Sequence, residues 1–225
     1  MNKIAVFLPT RKGSQRLANK NTRTFAGMKG GLLFIKLSQL SEIKNIKVYL
    51  SSNDPKSIEI GKSFKNTTVF ERPDHLCLDT TSLTDLIKYV PKIVEEDHIL
   101  WTHVTSPLVN AEVYNDAIDT YFKVSQRGND SLMSVHKMQE FIWSLSNNDL
   151  INRGENNLRW PRTQDLEPLY VVNSAFFIGS RDIYRNGDRV GEKPFLYEMD
   201  SIQSIDVDWE DDFKIAEALY EKLIK

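Results

Sequence analysis

Ile4-Ala5-Val6-Phe7-Leu8, followed at once by Pro9-Thr10-Arg11-Lys12-Gly13-Ser14-Gln15-Arg16-Leu17-Ala18-Asn19-Lys20-Asn21, sets the reading of the whole chain. The apolar, partly β-branched pentapeptide has the length and composition of a buried strand. The loop behind it holds four cations, one glycine and no acid. At the carboxyl end of a first strand in an open α/β sheet, such a loop faces the ligand crevice, and a glycine lets backbone amides approach an anion. Phosphate suits it, with Arg11, Arg16 and Lys20 able to neutralise a triphosphate; the plain alternative is a solvated basic loop. The loop is not a Walker A motif, because Lys12 precedes Gly13 instead of following a glycine into a helix. It is not a dinucleotide fingerprint either, because the three spaced glycines are absent.

Working outward, further short apolar runs at Val48-Tyr49-Leu50, Ile99-Leu100-Trp101, Leu132-Met133-Ser134-Val135, Tyr170-Val171-Val172 and Ala175-Phe176-Phe177-Ile178 predict strands, and Ile202 to Val207 predicts a last one. Segments of helical period separate them, clearest at 32–40, 83–94, 113–122 and 213–223. This alternation predicts an α/β chain: a Rossmann-like, mostly parallel sheet sandwiched by helices. Residues 1–225 read as one domain. Between about Gln139 and Leu169 the period breaks at Ser146-Asn147-Asn148-Asp149, at Gly154-Glu155-Asn156-Asn157 and at several prolines, which reads as a small insertion.

Bulk properties narrow the function classes. With 225 residues and 40% hydrophobic content the chain can bury a sizeable core. A formal charge of -2 offers no global basic field for a nucleic-acid polymer, so binding is a matter of local sites. A single cysteine, Cys77, excludes an intramolecular disulfide framework and fits a reducing, cytoplasmic compartment. The first apolar run is too short for a signal-peptide core or a membrane span, so no membrane partner is expected. Four histidines lack the pairing of a zinc site. Asp206 and Asp208, placed at the end of the last expected strand, read equally as a hard-cation site shared with phosphate oxygens or as acidic charges before the final helix, a role that Asp211 and Asp212 also suit.

The arrangement of motifs resembles that of the acylneuraminate cytidylyltransferases, also called CMP-sialic acid synthetases. The resemblance is carried by Arg11-Lys12-Gly13-Ser14-Gln15-Arg16-Leu17 with Lys20-Asn21 and Phe25-Ala26-Gly27, then Arg72-Pro73-Asp74-His75-Leu76 with Asp79-Thr80-Thr81-Ser82. Thr105-Ser106-Pro107-Leu108, Asp130-Ser131-Leu132-Met133-Ser134-Val135, Asn173-Ser174-Ala175 and Ser204-Ile205-Asp206-Val207-Asp208 follow in the same order, over nearly the whole chain.

The resemblance implies a cytidylyltransferase joining CMP from CTP to an acidic nine-carbon sugar, with release of pyrophosphate and dependence on Mg²⁺ or Mn²⁺. It assigns Arg11, Ser14 and Lys20 to phosphates, Asn21 to the cytidine half, Arg72 and Ser82 to base and ribose, and Thr81 to a position beside the base. Asp206 and Asp208 would hold the metal, and Arg11, Lys20 and Asp208 would carry the chemistry. His103 stands where many relatives have a glutamine reaching the sugar; a structural histidine is the other reading. Residues 139–169 correspond to a dimerisation insertion, making a homodimer the expected assembly, with Arg162 lent to the partner's sugar carboxylate. A basic residue often found earlier in that insertion is replaced here by the stretch Phe141-Ile142-Trp143. Two other readings stand beside this one: a cytidylyltransferase for another 2-keto acid sugar such as 3-deoxy-manno-octulosonate, and a non-catalytic nucleotide-binding protein of the same fold.

Overall fold

β1 (Ile4–Pro9) is buried on both faces and pairs in parallel with β2 (Lys47–Ser52) on one side and β4 (His98–Thr102) on the other. The computed structural model describes residues 3–14, 16–154 and 158–224; Gln15, Glu155, Asn156 and Asn157, quoted above, lie outside them. The sheet has seven strands in the order β3-β2-β1-β4-β8-β5-β9, adding β3 (Thr67–Glu71), β5 (Ser131–Met138), β8 (Leu169–Ser180) and β9 (Pro194–Met199). Only β8 runs antiparallel to its neighbours, β4 and β5. The two runs expected at 170–172 and 175–178 are one strand.

Strand alternation divides the core. Val6, Leu8, Val48, Leu50 and Leu100 face α1 (Gly31–Ser41), α4 (Ala111–Ser125) and α6 (Glu210–Leu223). Ala5, Phe7, Tyr49, Ile99 and Trp101 face α3 (Leu83–Ile93) and the short α5 (Arg181–Arg185). The sheet is therefore covered on both sides, as a parallel sheet requires. α2 (Pro55–Lys62) starts with Asp54 accepting from the Lys56 and Ser57 amides and Pro55 in the first turn, a strong start signal.

The strand expected over Ile202–Val207 does not form. Asp200 Oδ1 accepts from the amides of Ile202 and Gln203, and Ser204 N bonds Asp200 O, which closes a turn that competes with a sheet ladder. Val207 N then bonds Thr105 O at 2.8 Å, so the chain lies across the β4–α4 loop, and the last strand is β9 at the sheet edge. The Asp206 and Asp208 carboxylates thus sit on a loop, not at a strand end.

Inside residues 139–169, β6 (Trp143–Ser144) and β7 (Asp149–Leu150) form a two-stranded ladder. Its base is closed by amides: Gln139 Nε2 donates to Gln164 O and Leu166 O, and the fully buried Asn152 donates to Glu140 O and Glu167 O. On the sheet itself the β5–β8 pairing slips around Ser134, whose hydroxyl bonds Asn173 Oδ1 and Phe176 O, with Ser174 at φ 57°.

The β4–α4 loop is held from below by Lys36 of α1. Its fully buried Nζ donates to Ser106 O at 2.8 Å, Val109 O at 3.4 Å and the Tyr114 hydroxyl at 2.7 Å, while burial holds its pKa well below that of a free lysine. Lys36→Met should keep the stem's packing but leave these acceptors without a donor. At about 1 kcal/mol or more for each unmet buried group, a loss of roughly 3 kcal/mol is expected in urea denaturation. An unchanged midpoint and slope would show that the tether adds nothing to stability.

Candidate active site

A cleft of about 490 Å³ opens at the carboxyl ends of β1 and β4, lined by Thr10, Arg11, Ser14, Arg16, Lys20, Asn21, Arg72, Asp79, Trp101, His103 and Thr105 among others. A groove of about 220 Å³, lined by Arg11, Arg72, Thr81, Ser82 and Leu86, continues it toward the start of α3. Of the residues the sequence singled out, Arg11, Ser14, Lys20, Asn21, Arg72, Thr81, Ser82 and His103 therefore border these two adjoining spaces, which share Arg11 and Arg72. Gly13 sits at φ 83° with nothing within 4 Å of a Cβ added there, so it is the backbone geometry that favours glycine.

Three of the four cations of the first loop already have anionic partners. Arg16 Nη1 lies 2.7 Å from Asp208 Oδ2 and Lys20 Nζ 3.1 Å from Asp208 Oδ1; Lys20 also bonds Val207 O at 2.8 Å. Arg11 pairs with Asp79 and reaches Cys77 O at 3.3 Å. Burial pushes the Asp208 carboxyl up, but Lys20 and Arg16 outweigh it and hold the group below the usual carboxylate range. Asp206 moves the other way: burial raises it and the Asp208 charge adds to that, against Thr105 and Lys20. Its buried Oδ1 has no hydrogen-bond partner among the described residues. A hard cation fits this donor set, since it would supply that oxygen with a ligand and relieve the repulsion between the carboxylates. Among the described residues no three His, Cys, Asp or Glu gather into a metal-binding group, so a cation here would complete its shell with phosphate oxygens and water.

Other assigned residues do structural work at the cleft wall. Arg72 is buried, and three of its five N–H bonds go to Ser51 Oγ, Ser51 O and Thr10 O, which ties the ends of β1 and β2 together. Its Nη1 has no hydrogen-bond partner among the described residues. Ser82 caps α3, accepting from Asp85 N and donating to Asp85 Oδ2. Thr81 donates to His75 O, and Asn21 reaches Arg11 O at 3.4 Å. Arg162 lies on the insertion, 73% exposed, and grips Asp165 with two bonds.

Sequence reasoning passed over Arg189, on the loop between α5 and β9, because its surroundings come from distant strands. Its guanidinium carbon stands 3.8 Å from the Phe177 ring centre and 5.3 Å from that of Trp101, with Nη1 3.5 Å from His103 Nε2.

That same His103 Nε2 accepts from the Trp101 indole at 2.9 Å, which assigns the ring proton to Nδ1. Burial, joined by the fields of Arg189, Lys20 and Lys36 against that of Asp208, pushes the His103 pKa down to about 3. The imidazole is neutral at working pH and its basic nitrogen is occupied, so it can donate from Nδ1 but is a poor proton acceptor. Between about pH 6.5, the value of a free histidine, and about 3, the folded state binds fewer protons here than the unfolded state. Acidification through that window therefore costs stability. His103→Gln should flatten the loss of stability with falling pH in denaturation curves, and identical pH slopes for the two proteins would contradict the assignment.

The family model described as Cytidylyltransferase matches residues 5–223. The N-acylneuraminate cytidylyltransferase of Streptococcus agalactiae serotype III (strain NEM316) is 26% identical over 215 residues, covering 92% of this chain and 50% of that one, so the chain spans about half that relative's length. The pseudaminic acid cytidylyltransferase of Campylobacter jejuni subsp. jejuni serotype O:2 (strain ATCC 700819 / NCTC 11168) is 26% identical over 224 residues, covering 95% of this chain and 94% of the relative. In fold the chain is similar to the solved CMP:2-keto-3-deoxy-manno-octonic acid synthetase complexed with CTP, at a TM-score of 0.65 and 15% identity over 98% of this chain and 99% of that one. Matched over all but its first and last few residues, and carrying a cationic loop at the mouth of its sheet, the chain belongs to the cytidylyltransferase family.

Proposed function

We propose that the chain transfers the cytidylyl group of CTP to the anomeric hydroxyl of a nonulosonic, sialic-acid-like sugar, in the cytoplasm. The observation that carries this reading is the meeting of Lys20 and Arg16 with Asp208, two residues before which stands Asp206, in a cleft that Lys20 and Arg16 line together with Arg72. The relatives named for N-acylneuraminate and pseudaminic acid support an acidic nine-carbon acceptor.

In this mechanism the acceptor oxygen attacks the α-phosphorus in line, the bond to the β-phosphate breaks, and pyrophosphate leaves while the hydroxyl proton passes to solvent. Arg11 and Lys20 exchange their carboxylate partners for the leaving phosphates, with Ser14 beside them. Such chemistry depends on positioning and charge stabilisation more than on a strong base, in keeping with a neutral His103 that orients the sugar through Nδ1. Arg72 Nη1 donates to the cytosine edge, Ser82 and Thr81 border base and ribose, and Asn21 fixes the loop around the cytidine half. Asp206 and Asp208 would hold Mg²⁺ or Mn²⁺, which would screen the phosphate charge that the attacking oxygen must approach.

The test is pyrophosphate release with each of four nucleoside triphosphates and a panel of sialic, legionaminic, pseudaminic and octulosonic acids. CTP with a nonulosonic acid should support turnover, a chelator should abolish it, and Asp206→Asn or Asp208→Asn should lower it by roughly 100-fold or more. Equal release from all four nucleotides would overturn the CTP assignment, and turnover with octulosonate alone would move the acceptor to that class.

The assembly proposed is a homodimer built on residues 139–169, with Arg162 reaching the partner's sugar carboxylate. Supporting it, this segment exposes Phe141, Trp143, Leu145, Leu158 and Trp160, with Trp143 and Trp160 stacked 6.3 Å apart and Phe141 edge-on to Trp160. Adjoining Tyr170, Val171 and Val172 on β8 are exposed too, an apolar surface suited to an interface. Sedimentation at micromolar concentration should give a dimer, and Trp160→Glu a monomer. A monomeric parent protein would refute this assembly.

A further inference from the structure

Arg189 is a half-buried cation that makes no ion pair among the described residues. In this it differs from Arg11, Arg16 and Lys20, each matched by an aspartate. The neighbouring Asp188 is no substitute, because its Oδ1 accepts from the backbone amides of Arg189 and Val190. Stacking on Phe177 and Trp101 offsets part of the desolvation of the guanidinium, while Asp188 acts on it through its field alone, without an ion pair among the described residues. The ring faces restrict the guanidinium, and among the described residues the side chain's one hydrogen-bonding contact is Nη1, 3.5 Å from His103 Nε2. The remaining N–H groups form a planar, preoriented fork of the kind that binds a carboxylate through two bonds.

His103 places this fork on the reaction cleft. The imidazole borders the cleft and lies in the fields of Lys20 and Asp208 as well as that of Arg189. An anion held by Arg189 would therefore sit beside His103 and Trp101, which line the cleft together with Arg11, Arg16 and Lys20.

We propose that Arg189 receives the carboxylate of the acceptor sugar from within the chain and thereby makes the site selective for acids. This rests on the reading of the cleft as a cytidylyltransferase site with an acidic acceptor. Arg162, if lent by a partner subunit, would approach the same group from outside.

The test compares the acid that the parent enzyme turns over best with the carboxamide of that acid, in the parent protein, Arg189→Met and Arg189→Lys. Where the carboxamide is not turned over, its inhibition constant against the acid serves instead. Arg189→Met should raise the KM for the acid by roughly 30-fold and leave the KM for CTP within about threefold. It should also erase the preference for acid over carboxamide, while Arg189→Lys, keeping charge but not the fork, falls between. Should Arg189→Met fail to fold, the acid-to-carboxamide ratio in Arg189→Lys decides. Equal losses for acid and carboxamide would reduce Arg189 to a packing role and overturn the proposal. Absence of CTP-dependent pyrophosphate release by the parent with any acidic sugar would sink the functional reading itself, a separate outcome.

Discussion

A buried lysine holds the cleft together. Lys36 hangs the β4–α4 loop from α1 through Ser106 O and Val109 O; Thr105 O of that loop takes the amide of Val207; Val207 O in turn takes the ammonium of Lys20, which reaches Asp208. Four segments far apart in sequence are thereby fixed to one another by main-chain acceptors, whose positions do not depend on side-chain rotamers. Removing the first link leaves polar groups stranded in a dry interior, a larger effect than losing an exposed ion pair.

The second organising feature is that the site carries its charges in matched pairs. Asp208 shares Arg16 and Lys20, and Asp79 shares Arg11. Opposed cations and anions keep each other in place, so under the proposed function phosphate binding would be an exchange of partners and not the assembly of a loop from scratch. Partly exposed pairs of this kind are weak enough to be exchanged. Asp206, with an unmet buried oxygen, departs from this matching, and so do Arg72 and Arg189, neither of which makes an ion pair among the described residues.

The sequence made legible what depends on local pattern. β1, β2, β4, β5 and β8 carry apolar runs long enough to read, and α1, α3, α4 and α6 carry clear stripes. β3 and β9 are edge strands with partly exposed faces and, in β9, a proline at the start, so neither shows a buried run. α2 has only two fully buried residues, and its Asp54-Pro55 start was the one available clue. The false strand at 202–207 has the composition of β-structure, but Asp200 captures its first amides. In the site, the cationic loop and the Asp206–Asp208 spacing are contiguous and therefore readable. Lys36 looks like an ordinary helix residue, and Arg189 like an ordinary loop cation, because their partners are supplied by other elements.

The antiparallel β8 has a consequence for how the chain is made. It is sandwiched between β4 and β5, both of which leave the ribosome before it. Until Ser180 has emerged, the sheet exists as two pieces, β3-β2-β1-β4 on one side and β5 on the other, and β4 presents a bare hydrogen-bonding edge. Its residues Ile99, Leu100 and Trp101, wholly buried once the strand is in place, lie along that edge. An apolar edge of this kind pairs with whatever strand it meets. The nascent chain is thus most exposed to misassembly while the insertion is being synthesised, and insertion of a single late strand seals the two halves together.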